Sequence, residues 1–229
     1  MAVNPGLICR TFVRIARKLN IDISKLGFET GGEDMPDAYL ICPVAEEDLP
    51  FNIVELPPGC LGEDRMFIIV YAMLFGFRSS VTNFTRFSVL FQSLGRRLLA
   101  VVVSMFYDDA SIQDFASAKG AAQKCLGSLL VAIGGSFKAA KQQRMNDSAD
   151  FLGLVHDVKD AFSKMEMSFA PRPSLITKAV AIAEEALLAN RLTPTSAGKL
   201  LGMRAFLENG MFARVGNIGI MEAQKHVNW

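Results

Sequence analysis

Along residues 5–20 apolar and basic positions recur with helical spacing. Leu7, Phe12, Ile15, Ala16 and Leu19 fall on one side, Arg10, Arg14, Arg17 and Lys18 on the other, which predicts an amphipathic helix. The Gly-rich run 27–34 predicts a break in regular structure. Alternation in FNIVEL, 51–56, predicts a strand that Pro57, Pro58 and Gly59 turn back. The β-rich run MFIIVYAML, 66–74, predicts a buried strand, and the two runs pair as a hairpin with a long loop. From residue 80 the period changes: Val81, Phe84, Phe87, Phe91, Leu94 and Leu98 recur every three or four positions, predicting a helix over 80–98 with one apolar face. AVVVSMF, 100–106, predicts a central strand, Asp108–Asp109 its turn, and 110–112 the return strand. A helix over 113–132 ends at Gly134–Gly135, and 151–155 predicts a short strand. Pro171 and Pro173 mark a boundary, after which Ser174 caps a helix over 175–190 and 196–209 forms another. No internal repeat or low-complexity run is present. The order β-β-α-β-β-α-β followed by helices predicts an α+β fold with a helical C-terminal appendage.

Composition narrows the class. A chain of 229 residues makes one large domain or two small ones. With 51% apolar and 21% charged residues it is not intrinsically disordered. Its 24 Lys+Arg against 23 Asp+Glu leave a net charge of +1, so bulk charge does not signal a nucleic-acid binder, although a local basic groove stays open. Mean hydropathy is +0.27, yet the longest apolar runs, 98–105 and 66–75, fall short of the roughly 20 residues a spanning helix needs. The N-terminal stretch has no apolar core and carries Arg within it, so no signal peptide is expected. The reading is an intracellular chain, cytoplasmic or nuclear, not secreted and without membrane contact. Cys9, Cys42, Cys60 and Cys125 are widely and irregularly spaced, and His156 and His226 are the only histidines. Free thiols are expected, not a zinc site or a disulfide framework. No Gly-x-Ser-x-Gly run is present, so serine hydrolase chemistry lacks support. GSLLVAIGG, 127–135, hints at a phosphate loop but lacks the Gly-Lys-Ser/Thr ending.

The strongest chemical signal is Asp108–Asp109 directly after the Val-rich strand. Adjacent carboxylates repel one another, and a cation relieves the repulsion; a hard divalent ion such as Mg²⁺ takes carboxylate oxygens and keeps positions open for phosphate. A solvated Asp-Asp turn is the alternative. In DMPDAYLICPV, 34–44, Asp34 reads by itself as the N-cap of a short helix with Pro36 in its first turn.

Taken together, DMPDAYLICPV, then a hairpin, then LFGFRSSVTNFTRF, then Phe106-Tyr107-Asp108-Asp109, then Phe151-Leu152-Gly153 resembles the palm of a reverse transcriptase of retrotransposon or retroviral type. Order and spacing both match, with 74 residues from Asp34 to Asp108. The resemblance runs from about residue 30 to 160. It implies an antiparallel palm sheet with helices on one face, followed by a helical thumb-like or connection segment: 1–33 residual fingers, 34–160 palm, 161–229 thumb-like. It implies RNA-directed DNA polymerisation on an RNA or DNA template with a primer and deoxynucleoside triphosphates. The reaction is phosphoryl transfer at two metal ions about 3.5–4 Å apart, here Mg²⁺ with Mn²⁺ as a possible substitute. Asp34, Asp108 and Asp109 match the family's metal ligands, and the carbonyl of Met35 is a further ligand by analogy.

The resemblance also assigns binding roles. Tyr39, beside Ala38, stands where an aromatic under the sugar clashes with a 2′-hydroxyl. Phe75 and Gly76 open the second motif under the nucleotide; retroviral enzymes have glutamine at the place of Phe75, so the match is to the retrotransposon type. Arg78 touches phosphate or template, or is a surface arginine at a helix start. Lys141, with Lys138 as rival, matches a lysine proposed to protonate pyrophosphate; a solvated face is the alternative for both. Phe106 and Tyr107 of the aspartate box and Phe151, Leu152 and Gly153 of the primer grip hold the primer end. Lys199, Arg204 and Arg214, among Gly198 and Gly202, suit a thumb tracking a sugar-phosphate backbone, or equally a plain helical hairpin.

Three features depart from the family. Only 33 residues precede Asp34, where relatives carry a longer fingers region; Arg14, Arg17 and Lys18 are the candidates for triphosphate contact. Gly31-Gly32-Glu33 stands where relatives enter the aspartate from an apolar strand. No RNase H domain follows. Two readings result: a polymerase fragment of a retroelement, or a catalytically inactive remnant that binds nucleic acid or protein. An unrelated α+β binding protein is a third.

Overall fold

The computed structural model describes residues 5–23, 26–60 and 64–209. The chain divides into two compact units, one of residues 33–114 and 120–142, the other of 5–32, 115–119 and the chain from 143 on. The architecture is α+β with antiparallel sheets, as expected from the sequence.

In the first unit, helix α2 (Arg78–Leu98) is followed by the hairpin of β4 (Val102–Phe106) and β5 (Asp109–Phe115) and by α3 (Ala121–Ala132). Phe84, Phe91, Val103, Ile112, Leu126 and Leu130 have no exposed surface and form the core. The close fit leaves no room for a side chain at position 95: a Cβ on Gly95 would stand 2.9 Å from Leu126 Cδ1. Polar side chains on α2 also bind β4 along its free edge. Arg96 Nε donates to Val103 O (2.9 Å), Met105 N donates to Gln92 Oε1 (2.8 Å), and Ser88 Oγ donates to Tyr107 O (2.6 Å). Residues 88, 92 and 96 lie one above the next on a helix, so one stripe of α2 satisfies the outward-facing groups of an edge strand that would otherwise seek another strand. Helix α2 begins two residues earlier than its apolar period predicts, and Val81 and Leu98 at its ends are exposed. Residues 113–120 are not α-helical: β5 runs to Phe115, a short 3-10 turn covers Ala116–Ala118, and α3 starts at Ala121.

β2 (Ile53–Leu56) pairs with β3 (Met66–Ile69) in register Ile53↔Ile69 to Leu56↔Met66. The hairpin is as expected; the burial is not, since all four residues of β3 are exposed, Phe67 to 66%. The two strands form a sheet of their own, so neither face gains a layer. The buried Asn52 amide ties the base of this ribbon, donating to Val70 O and to Ala72 O.

In the second unit α1 (Pro5–Lys18) is amphipathic, but its buried face is turned from the expected one. Cys9, Val13 and Ala16, with Phe12, pack against Phe28, Val158, Ala161 and Phe162, while Leu7, Ile15 and Leu19 are exposed. Small residues face inward because four rings fill the space beside them: Phe12–Phe115 centroids are 4.6 Å apart, Phe28–Phe162 5.3 Å and Phe115–Phe162 5.9 Å. The Gly-rich run 27–34 is a strand, β1 (Phe28–Asp34), not a break. β1 pairs antiparallel with β6 (Gln143–Asn146), with a bulge between Thr30 and Gly32. A Cβ on Gly31 would meet Met145 Sδ at 2.7 Å and Gln143 O at 2.9 Å, so the glycine admits a close neighbour.

β7 (Ser148–Phe151), β8 (Leu154–Asp157) and β9 (Ser168–Pro171) form an antiparallel meander. The run 151–155 is thus not one strand: Leu152 (φ 50°) and Gly153 (φ 79°) turn the chain in its middle, the positive-φ pair that suits a two-residue hairpin. The last helices are α4 (Pro173–Leu188) and α5 (Pro194–Asn209), packed on each other. Ser174 lies inside α4 and does not cap it; the cap position is Arg172, which makes no side-chain cap bond. Pro173 at the first helical position explains the start, since its fixed φ suits that position and no N–H is lost. Among the described residues no helix is long and apolar enough to cross a membrane.

Candidate active site

Asp34 is the last residue of β1 and caps no helix. The chain leaves it through Pro36 and a left-handed pair, Asp37 (φ 57°) and Ala38 (φ 30°), into a short 3-10 turn, Ala38–Ile41. Asp108 lies in the two-residue turn between β4 and β5, and Asp109 opens β5. The two segments touch through the backbone: Met35 N donates to Asp108 O at 3.1 Å. Tyr107, at the other turn position, has φ 53°, a strained conformation for a non-glycine residue, worth roughly 1 kcal/mol or more. Ser88 of α2 holds that turn by its bond to Tyr107 O. The aspartates therefore sit on a backbone fixed from two sides.

The cation in this group is Lys141. Its Nζ lies 2.9 Å from Asp34 Oδ1, and Asp34 raises its pKa first through that hydrogen bond and then through its charge; the Asp108 and Asp109 charges act the same way. The 138–142 segment is tied to the end of β1 twice more. Lys138 N donates to Asp34 O at 2.8 Å, and Gln142 Nε2 donates to Glu33 Oε1 at 2.6 Å. Glu33 is 4% exposed. Burial pushes its carboxyl upward, while the Gln142 and Gln123 amides pull it back; Oε2 is buried without a hydrogen-bond partner among the described residues. Lys138, the rival, makes only the backbone contact with Asp34 among these interactions.

Tyr39 is half-buried with its ring between two others, Phe75 at 4.8 Å and Phe84 at 5.2 Å, both edge-on. Phe84 belongs to the core and Phe75 is 62% exposed, so Tyr39 links core to surface. Gly76 (φ 94°) makes the turn after Phe75, with open space where a Cβ would be; Arg78 is exposed at the start of α2. Phe106 ends β4 with its ring 4.7 Å from that of Tyr107.

Asp34, Met35, Ala38, Tyr39, Phe75, Gly76, Arg78, Phe106, Tyr107, Asp108, Asp109 and Lys141 thus all belong to the first unit. Phe151, Leu152 and Gly153 belong to the second, where Phe151 is buried at the end of β7 and the other two form the β7–β8 turn. Lys199 lies on α5 and is exposed; Arg214 and the Arg204 side chain lie outside the described residues. Arg14, Arg17 and Lys18 are exposed on α1. The sequence reading missed Glu33, Gln142 and Ser88. The signal for Ser88 was the polar repeat 88, 92, 96 at four-residue spacing beside the apolar stripe of the helix.

The carboxylates suit a hard divalent ion by chemistry. Among the described residues, however, no three His, Cys, Asp or Glu side chains are grouped to hold a metal ion, and the cation on Asp34 is the Lys141 ammonium.

No protein-family model matches the sequence, and no curated protein matches it. The fold is similar to that of the foamy viral protease-reverse transcriptase in complex with an RNA/DNA hybrid, with a TM-score of 0.64 and 14% identity over 87% of this chain and 24% of that one. It is similar also to the foamy viral protease-reverse transcriptase dRH in complex with double-stranded DNA, with a TM-score of 0.61 and 13% identity over 87% of this chain and 31% of that one. The chain therefore spans less than a third of the length of these neighbours.

Proposed function

We propose that the chain is the palm and thumb-like part of an RNA-directed DNA polymerase of retroelement type, transferring nucleotides from deoxynucleoside triphosphates to a primer 3′-hydroxyl. The reading rests on a reverse-transcriptase-like fold in which Asp34 and the Asp108–Asp109 turn are joined by the Met35 N to Asp108 O bond. Asp34, Asp108 and Asp109, with the Met35 carbonyl, are the groups that would hold Mg²⁺, two ions in this reading, with Mn²⁺ as a substitute. Bound there, the metal would neutralise phosphate charge and favour the ionised primer hydroxyl.

The protein's own contribution is position and shape. Tyr39, with its ring between Phe75 and Phe84, presents an aromatic face to a sugar, where a 2′-hydroxyl would clash. Ala38, Phe75 and Gly76 form the surface for the nucleotide, and Arg78 supplies positive charge to phosphate or template. Lys141 carries a proton beside the carboxylates, where it can steady or protonate pyrophosphate. Phe106 and Tyr107 in the first unit are primer contacts in this reading, and so, separately, are Phe151, Leu152 and Gly153 in the second. Template and primer are the nucleic-acid partners.

A second reading, a catalytically inactive remnant that still binds nucleic acid, is favoured by one observation: the Lys141 ammonium, not a ligand cage, meets Asp34. Primer extension on poly-rA with Mg²⁺ decides between the two, with Asp108→Asn as the control. Incorporation by wild type that is lost in Asp108→Asn is the expected result. Equal incorporation by both removes Asp108 from the mechanism, and none by either, with retained template binding, leaves the remnant.

A further inference from the structure

Residues 138–142 have little structure of their own: a three-residue 3-10 turn, Ala139–Lys141, with no buried residue. Lysine side chains on such turns usually sample many rotamers, and exposed ion pairs gain little because ordering offsets the attraction. Here the ordering is done by other contacts. Lys138 N is bonded to Asp34 O, Lys141 N to Lys138 O at 2.9 Å, and Gln142 Nε2 to Glu33 Oε1. The Glu33 end of the last bond is buried within the unit. Lys141 thus reaches Asp34 from a turn anchored on both flanks, although its side chain is 55% exposed and that of Asp34 13%.

We propose that Glu33 is a positioning residue. Through Gln142 it pins the 138–142 turn to the end of β1, which keeps the Lys141 ammonium on Asp34 as the resident cation of the aspartate group. Glu33 acts on Lys141 through Gln142, while its other amide neighbour, Gln123, lies on α3. A divalent ion arriving at Asp34 therefore competes with the Lys141 ammonium, which already holds Oδ1. The inference rests on the polymerase reading only for the use made of the released ammonium; the pin and the competition stand without it.

The test uses the full chain and two readouts that need no polymerisation. Limited acetylation with acetic anhydride, followed by mass spectrometry, reports how firmly each lysine is held, with exposed Lys138 as internal reference. Lys141 is expected to react several-fold more slowly than Lys138 in wild type and in Glu33→Gln, whose amide oxygen still accepts from Gln142. In Glu33→Ala and in Asp34→Asn it is expected to react like the reference. Gln142→Ala cuts the same bond from its exposed end and serves if Glu33→Ala does not fold. Manganese titration followed by electron paramagnetic resonance is expected to show Mn²⁺ binding roughly two- to five-fold tighter to Lys141→Met than to wild type. Unchanged Lys141 labelling in both Glu33→Ala and Gln142→Ala overturns the positioning role, as does equal labelling in Glu33→Gln and Glu33→Ala. Binding of Mn²⁺ to Lys141→Met no tighter than to wild type overturns the competition. A chain with the expected labelling that extends no primer loses the polymerase reading and keeps this one.

Discussion

Gln92 offers the sharpest check on how α2 holds the strand that carries the aspartate turn. Its Oε1 accepts the Met105 amide at 2.8 Å, and the residue is 8% exposed. Gln92→Leu keeps the volume and the helix propensity but leaves that N–H facing an apolar group. An orphaned buried donor costs about 1–3 kcal/mol, against about 0.5 kcal/mol or less for a neighbouring change with no such partner. Ser93→Ala is that neighbour: the Ser93 hydroxyl bonds only its own helix, at Val89 O. Urea unfolding of the two variants should differ by the stated amount. Amide exchange localises the effect, because a loss of 1–3 kcal/mol speeds exchange at Met105 by roughly 5- to 150-fold. Equal midpoints for Gln92→Leu and Ser93→Ala, or unchanged exchange at Met105, would refute the claim that a helix stripe substitutes for a missing strand.

Three further outcomes are expected. Tyr39→Ala raises ribonucleotide incorporation relative to deoxynucleotide by roughly tenfold or more in single-nucleotide extension. Gly31→Ala costs about 1–3 kcal/mol in urea unfolding because its Cβ meets the Gln143 backbone, whereas Gly127→Ala, with open space on α3, gains up to about 1 kcal/mol. His156 lies between Phe151 and Phe169, and its burial lowers its pKa against a weaker opposing pull from Asp150. The unfolded chain therefore takes the proton first, near pH 6.5. The stability that the neutral ring confers is present above that pH and is lost as pH falls through the window below it; His156→Phe should remove that part of the acid sensitivity in thermal melts at pH 5 and 7.

What the sequence made legible follows from how local each signal is. The Val-rich strand, the Asp-Asp turn and the apolar period of α2 are written in neighbouring residues, so the aspartate hairpin and its supporting helix could be read directly. Gly31 and Gly32 misled because glycine marks both a break and a close approach, and only Gln143 and Met145, more than a hundred positions away, decide which. The apolar run at β3 reads as buried wherever a second layer exists, and here the ribbon lacks one. The inward face of α1 depended on three phenylalanine rings from distant stretches, Phe28, Phe115 and Phe162, around its own Phe12, which left room for Cys9 and Ala16 but not for Leu7. Asp34 was assigned to the wrong element, a helix cap rather than a strand end, since the strand before it carries no apolar alternation. The pin at Glu33 was out of reach because it joins residue 33 to residue 142.

Neither compact unit is a continuous stretch of chain, and that dictates an order of events during synthesis. The first unit needs nothing beyond residue 142, so it can close while the rest is still being made. Helix α1 cannot: its Cys9 thiol bonds the carbonyl of Ala161, 152 positions later. At ordinary elongation rates the apolar face of α1 waits on the order of 10 s for that partner. During that interval Phe28 and Phe115 are there to cover it but Val158, Ala161 and Phe162 are not, and any truncation that ends before residue 158 leaves it without those three.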